Sequence, residues 1–168
     1  MFTKQDADTT KGSVEAAVVF SDDLIKLLPK SQYRSMRDNP REHAEYIKRM
    51  NKIAANIPKL YETDQPNALH PLSLHYFVGG CDWYIAEWDR GDQFFGYAIL
   101  NGDYDNSEWG SISVSELLSL EIPRKYLMVN LDFHCVYKTI EEALFARDKK
   151  HFWKYDPAYL EAQNTEGE

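Results

Sequence analysis

Long apolar runs and a cysteine framework are both missing from this 168-residue chain. No apolar run approaches the ~18 residues that a membrane-spanning helix needs, so we expect no membrane protein. The two cysteines, Cys81 and Cys135, have neither metal-finger spacing nor a disulfide pattern, which is typical of reduced thiols in a cytoplasmic protein. The N-terminal residues lack a basic region followed by an apolar core, so we expect no secretory signal.

Sequence motifs that are typical of known catalytic or phosphate-binding sites are absent as well. The chain has no Gly-x-Ser-x-Gly, His-Glu-x-x-His or phosphate-loop pattern. His70 and His75 are five residues apart with no third ligand at a zinc-site spacing. Residues 103–107 alternate oxygen ligands but lack the Gly and Glu positions of a helix–loop–helix calcium site. We therefore predict no cofactor and no metal.

The chain does contain enough apolar material for one core. Hydrophobic residues make up 43% of it and aromatic residues 14%. A chain of this length buries about 70% of the surface that it exposes when unfolded. We predict a single domain over residues 13–160, with a flexible N-terminus at 1–12 and a flexible tail at 161–168.

Helical signals dominate the first third of the chain. Ser21 precedes two acids and can cap a helix, and Tyr46, Met50, Ile53 and Ile57 form one apolar stripe. These patterns predict a helical front over residues 21–58. Capping boxes that begin at Ser113 and Thr139 predict short helices further on, the last over residues 140–149.

Extended segments separated by turn residues predict a sheet region over residues 72–137. We therefore predict an α+β fold with a small antiparallel sheet of about four to five strands, packed with N-terminal helices and short C-terminal helices. The predicted strands are Leu72–Val78, Trp83–Trp88, Phe94–Leu100 and Gly110–Val114, followed by an extended stretch Tyr126–Tyr137.

Several short segments occur in an order that resembles a known family. They are Trp83-Tyr84-Ile85-Ala86-Glu87, Phe95-Gly96, Glu108-Trp109-Gly110 and Ser113-Val114-Ser115-Glu116-Leu117. Over roughly residues 45–145 the chain is similar to the family named domain of unknown function 2958. The resemblance implies a compact α+β domain and a phage, plasmid or other mobile-element context. It implies no catalytic residues.

Charge is unevenly distributed within the formal net charge of −8. Residues 21–60 hold nine basic and five acidic side chains, a net of +4. Residues 61–123 hold eleven acidic side chains and one basic residue, Arg90, a net of −10. The negative total argues against nucleic-acid binding over the whole surface. The pattern predicts a dipolar domain with an acidic sheet region.

Aromatic residues are dense in the same acidic region, which makes a protein-binding surface our leading hypothesis. Its partner would be a basic, nucleic-acid-handling host protein, such as a defence effector whose phosphate site the module occupies. The alternative is a sheet covered by helices on both sides, with acids that are merely solvated. The predicted partner-binding residues are Trp88, Asp89, Asp92, Asp103, Tyr104, Asp105 and Glu108.

Two other functions stay open at this stage. Asp132 and His134 are two residues apart on the predicted last strand and share one side of it, so with His75 they form a candidate acid–base site of an enzyme. Cys135 would point to the opposite side of that strand. Alternatively, the basic helices over residues 21–58 contact nucleic acid. A homodimer is compatible with each of these functions.

Overall fold

A computed structural model of the chain describes residues 17–66 and 68–165. The predicted flexible N-terminus at 1–12 lies outside the described residues, as do the last three residues of the predicted tail. Within the described ranges, no helix combines the length and the apolar character needed to cross a membrane.

Three helices open the described chain: α1 Asp22–Leu27, α2 Lys30–Asp38 and α3 Ala44–Asn56. The hydroxyl of Ser21 accepts a hydrogen bond from the backbone N–H of Leu24 at 3.1 Å, so the predicted cap is formed. The apolar stripe of α3 buries Ile47 and Met50 against the rest of the core. The helix ends just before Pro58, which cannot continue it.

The main sheet contains β1 Leu74–Val78, β2 Cys81–Trp88, β3 Gln93–Leu100, β4 Asp103–Ser113 and β7 Asn130–Leu131. Its spatial order is β4-β3-β2-β1-β7, and all neighbouring strands are antiparallel. A separate pair joins β5 Glu121–Ile122 to β6 Leu127–Met128. The predicted α+β fold with N-terminal and C-terminal helices is confirmed.

Short helices follow the fourth strand and the last strand. They are α4 Val114–Ser119, α5 Ile140–Arg147 and α6 Pro157–Thr165. The hydroxyls of Ser113 and Thr139 each accept a backbone N–H at 3.2 Å, as the capping boxes predicted. Helix α6 continues to Thr165 and so includes the first part of the predicted flexible tail at 161–168, whose flexibility stays a prediction.

Helices cover both faces of the main sheet. On one face, the N-terminal helices and α4 bury Leu27, Met50 and Leu117 with the aromatic residues of the inner strands. On the other face, Leu144 of α5 and the loop residue Phe152 complete a second core. The aromatic density of the sheet therefore fills two cores and leaves no broad aromatic surface among the described residues.

The predicted extended stretch Tyr126–Tyr137 is broken into shorter pieces. Tyr126 adopts a left-handed conformation with a φ of 52°, which separates the turn of 3₁₀-helix before it from β6. Strand β7 ends at Leu131, and the chain then turns through residues 132–134. Asp132 and His134 consequently do not share one side of a regular strand, so that premise of the sequence analysis is wrong.

Candidate functional site

Two of the predicted partner-binding acids lie in the β2–β3 turn, where Asp89 stabilises the turn itself and Asp92 joins it to the start of α4. Asp89 accepts hydrogen bonds from the backbone N–H groups of Gly91 at 2.7 Å and Gln93 at 3.0 Å. Asp92 accepts from the N–H of Ser115 at 2.7 Å and from the hydroxyl of Ser113 at 2.9 Å. The hydrogen bonds from Ser115 and Ser113 lower the pKa of Asp92. Both acids are exposed, yet their carboxylates already have structural partners.

The prediction that Trp88 belongs to the partner-binding surface is wrong. It is fully buried because its position on a central strand directs the ring toward the N-terminal helices. Its indole N–H donates to the carbonyl of Gly91 at 3.0 Å, and the guanidinium of Arg90 lies 5.0 Å from the ring centroid. Trp88 therefore belongs to the core and cannot contact a partner.

The β3–β4 hairpin carries the other predicted residues. A bulge in β4 spans residues 104–107, because Ala98 pairs with Glu108 whereas Leu100 pairs with Asp103. Within it, the Tyr104 ring packs 5.5 Å from the ring of Phe152 and is half-buried. The side chain of Asp105 is 93% exposed. Tyr104 is thus mainly a packing residue.

The predicted acids do not form one continuous surface. Asp89 and Asp92 lie at one end of β3, and Asp103 lies at the other. An eight-residue strand is about 25 Å long, so the two groups are separated by that distance. We use the term acidic edge for the exposed carboxylates that β4 itself carries, namely Asp103, Asp105 and Glu108.

A second cluster of ionisable side chains is centred on His75 of β1. Its Nε2 lies 2.9 Å from Oδ1 of Asp82, and its Nδ1 lies 3.1 Å from Oδ2 of Asp132. The ring stacks on Tyr84 of the neighbouring strand, with 4.6 Å between centroids and 4° between planes. Carboxylate oxygens accept hydrogen bonds, so each of the two ring nitrogens faces a hydrogen-bond acceptor.

The cluster extends to the opposite helix. Nη2 of Arg147 on α5 lies 2.7 Å from Oδ2 of Asp82, whose side chain is only 6% exposed. Burial raises the pKa of the neighbouring Tyr84 hydroxyl, and the Asp82 carboxylate raises it further. The tyrosine is therefore neutral near pH 7, and the cluster around it consists of the His75 imidazole, two carboxyl groups and the Arg147 guanidinium.

The structure brings together only two of the three predicted acid–base residues. Asp132 contacts His75, but His134 is exposed and its ring lies 5.5 Å from that of Tyr46. Only the backbone N–H of His134 reaches the cluster, at 2.8 Å from Oδ1 of Asp132. The prediction that the His134 side chain takes part is wrong, because the chain turns after β7.

Cys135 lies on the same side as His75 and Asp132, whereas a regular strand would have directed it to the opposite side. It lines a cavity of about 170 Å³ together with His75, Asp132 and Arg49. Burial raises the pKa of the Cys135 thiol, although the backbone N–H of Tyr137 lowers it in part. The thiol alone is therefore not an activated nucleophile. No local signal could have placed Cys135 here, since the turn at 132–134 reverses the side to which it points.

Two further buried carboxylates hold the connection between α3 and β1 against the sheet. Glu87 accepts backbone N–H groups from Tyr61 and Thr63, each at 2.7 Å. Glu141 of α5 accepts the N–H of His70 at 3.0 Å and faces Nδ1 of that histidine at 2.7 Å. All of these groups are satisfied within the protein, so this arrangement is structural.

Comparisons with protein-family models, with curated proteins and with solved structures give no match to this chain. The resemblance to domain of unknown function 2958 stays a prediction from the sequence.

Proposed function

We propose that this protein is a non-enzymatic binding module whose acidic edge engages a basic partner protein. The observation that carries the proposal is the position of three exposed carboxylates on one edge strand. Strand β4 pairs with β3 on one side only, and no described strand lies along its other side. An edge of this kind presents both charge and unpaired backbone groups to a partner.

The carboxylates of the acidic edge lack internal neutralisation. Among the described residues, none of them forms an ion pair with a lysine or arginine. Within the described ranges, the one basic side chain at ion-pair distance from these carboxylates is His151, whose Nδ1 lies 3.8 Å from Oδ1 of Asp105. Within a region of net charge −10, such groups maintain a negative field that attracts a basic surface and accelerates its encounter.

The backbone of β4 offers a second means of recognition. Residues 108–113 pair with β3 in regular register, beyond the bulge. An extended segment of a partner could add to their free side, with main-chain hydrogen bonds for affinity and lysine or arginine side chains next to the acidic edge. Gly110 has open space where a side chain would be, so no side chain at that position blocks the approach.

The proposed partner follows from the charge and from the family resemblance. A surface of carboxylates spaced along a strand competes with phosphates for the same lysines and arginines. The mobile-element context implied by the resemblance makes a basic host protein that handles nucleic acid, such as a defence effector, the proposed partner. Binding would occupy the site that otherwise holds the phosphate backbone.

Charge reversal on the acidic edge tests the proposal. The variant D103K/D105K/E108K and the control D38K/E42K/E45K change the net charge equally, but the control residues lie on or next to the N-terminal helices. Each full-length protein is immobilised and exposed to nuclease-treated lysate of a host cell, and bound proteins are identified by mass spectrometry. Circular dichroism establishes that both variants are folded.

We expect the wild type and the control to retain a basic protein that the edge variant does not retain. This protein should elute when the salt concentration is increased. If every retained protein binds the edge variant as well as the wild type, the proposal is wrong. Retention that depends on the control residues instead would favour the basic helices as the interface. If the wild type instead binds a second copy of the same chain and the edge variant does not, the partner is that second copy and the protein is a homodimer.

A catalytic site at His75 is the second candidate, because His75 and Asp132 meet in one cavity. Two observations count against it. Both nitrogens of His75 already face carboxylates of the protein, so a substrate would have to displace one of these contacts to reach the ring. The cavity of about 170 Å³ is also smaller than the ~300–1,000 Å³ of typical ligand pockets.

A further inference from the structure

Three side chains of the cluster around His75 present different ligand atoms to one point. His75 comes from β1, Asp132 directly follows β7, and Cys135 follows the turn that comes after Asp132. Their imidazole nitrogen, carboxylate oxygen and thiol sulfur all lie within 4.8 Å of one another. The backbone N–H of Asp132 also donates to the carbonyl of His75 at 2.8 Å, which fixes the two segments side by side.

We propose that His75, Asp132 and Cys135 bind a divalent transition-metal ion of the zinc class. The combination of nitrogen, sulfur and oxygen ligands suits Zn²⁺, whereas calcium and magnesium prefer oxygen ligands alone. Three protein ligands leave a fourth tetrahedral position open. This proposal is independent of partner binding at the acidic edge.

The distances are close to those of a tetrahedral ion. Zinc bonds of about 2.0 to 2.3 Å hold neighbouring ligand atoms about 3.3 to 3.8 Å apart. Nδ1 of His75 and Oδ2 of Asp132 are 3.1 Å apart. The sulfur of Cys135 lies within 4.8 Å of both atoms. A rotation of the Cys135 side chain that moves the sulfur by about an ångström therefore brings all three ligand atoms to zinc-binding distances.

Surrounding groups already orient each of the three ligands. The Nε2 of His75 faces Asp82 at 2.9 Å, which leaves Nδ1 for an ion, and this carboxylate–histidine pair is the usual support of a metal-bound imidazole. Oδ1 of Asp132 accepts the N–H of His134 at 2.8 Å, so Oδ2 is left for the ion. Asp132 and Cys135 lie on either side of the turn after β7, so the same turn positions both ligands.

The local charges also suit a dication. The Asp132 carboxylate and a Cys135 thiolate together balance a charge of +2, while Asp82 is paired with Arg147. On binding, the ion replaces the thiol proton and the hydrogen bond between Nδ1 of His75 and Asp132, and the displaced protons pass to solvent. The open position faces the cavity of about 170 Å³, where Arg49 favours an anionic or hydroxide fourth ligand.

Cobalt substitution provides the test, because tetrahedral Co²⁺ absorbs in the visible range and a cobalt–thiolate bond adds a charge-transfer band. The full-length protein is stripped with EDTA, kept reduced, titrated with Co²⁺, and then titrated with Zn²⁺ to displace it. The variants are C135S and D132N, with C81S as the matched control. Cys81 lies at the start of β2 and its sulfur contacts Asn101 instead. Circular dichroism verifies the fold of each variant.

We expect one Co²⁺ per chain, with a thiolate band that persists in C81S, disappears in C135S and is displaced by Zn²⁺. D132N should lose saturable binding, and a fourth variant, D82N, should bind about 10–100-fold more weakly because it alters the support of His75 while leaving all three ligands in place. No thiolate band in the wild type, equal loss of the band in C81S, or unchanged binding in C135S would each overturn the proposal.

Discussion

Oδ1 of Asp82 lies 2.9 Å from Nε2 of His75, at a point where the Asp82 side chain is only 6% exposed. The other oxygen of the same carboxylate is held by Arg147 at 2.7 Å. One aspartate therefore connects β1, β2 and α5. A buried carboxylate costs free energy unless it is paired, so the three residues depend on one another.

Replacing Asp82 tests this dependence. D82N keeps the shape but removes the carboxylate that the Arg147 guanidinium and the His75 ring both contact, so we expect the free energy of unfolding to fall by about 2–3 kcal/mol. Urea denaturation at pH 7 measures the change. The exposed D105N variant should shift the free energy by less than about 0.5 kcal/mol. Equal effects of the two variants would show that the buried network contributes nothing to stability.

The sequence predicts the architecture well because its signals are local. The hydroxyl caps at Ser21, Ser113 and Thr139 are each formed, and the inner strands appear close to their predicted bounds. Strand β4 begins at Asp103, earlier than predicted. The prediction missed its first half because those residues are polar, have the composition of a turn and pair with β3 only around a bulge. The predicted helical front over residues 21–58 is divided into three helices, with Asn39 at the end of α2 and Ala44 at the start of α3.

The site is less predictable, because its members come from distant segments. Asp82 and Arg147 are far apart in sequence and meet only when α5 packs on the sheet. His75 and Asp132 are 57 positions apart and become neighbours through β1–β7 pairing. The turn after β7 then moves His134 away and Cys135 in, which reverses the side that each would occupy on a regular strand.

Glu87 controls the attachment of the connection between α3 and β1. In E87Q the charge-assisted hydrogen bonds from Tyr61 and Thr63 are weakened. The NH₂ group of the glutamine is itself a donor, and it would face the backbone N–H groups that Glu87 accepts. We expect a loss of about 1.5–3 kcal/mol and faster proteolysis within residues 59–66. The exposed E45Q variant on α3 serves as the control and should match the wild type. Unchanged proteolysis in E87Q would contradict this role for Glu87.

Asp92 links stability to pH. The backbone N–H and hydroxyl of Ser115, with the hydroxyl of Ser113, hold the pKa of Asp92 below its ordinary value of 3.8. A lowered folded-state pKa stabilises the protein above the unfolded pKa, and that contribution disappears as the pH falls through the folded pKa. D92N should therefore melt at a lower temperature than the wild type at pH 7, with the difference shrinking below about pH 4. A constant difference across pH would contradict the assignment.

Gly96 and Gly110 face each other across β3 and β4, yet they tolerate a side chain very differently. A Cβ on Gly96 would lie 2.1 Å from the carbonyl oxygen of Tyr84, a backbone atom that cannot move without disrupting the β2–β3 pairing. We expect G96A to lose more than about 3 kcal/mol or to fail to fold.

At Gly110 a Cβ meets nothing within 4 Å, and alanine reduces the entropy of the unfolded chain. G110A should therefore be neutral or more stable by about 0.5 kcal/mol in the same urea experiment. Equal destabilisation by both substitutions would mean that glycine is needed for backbone conformation at both positions. Loss in G96A alone would establish that the close approach of β2 and β3 requires a glycine, since both variants make the same chemical change in paired residues.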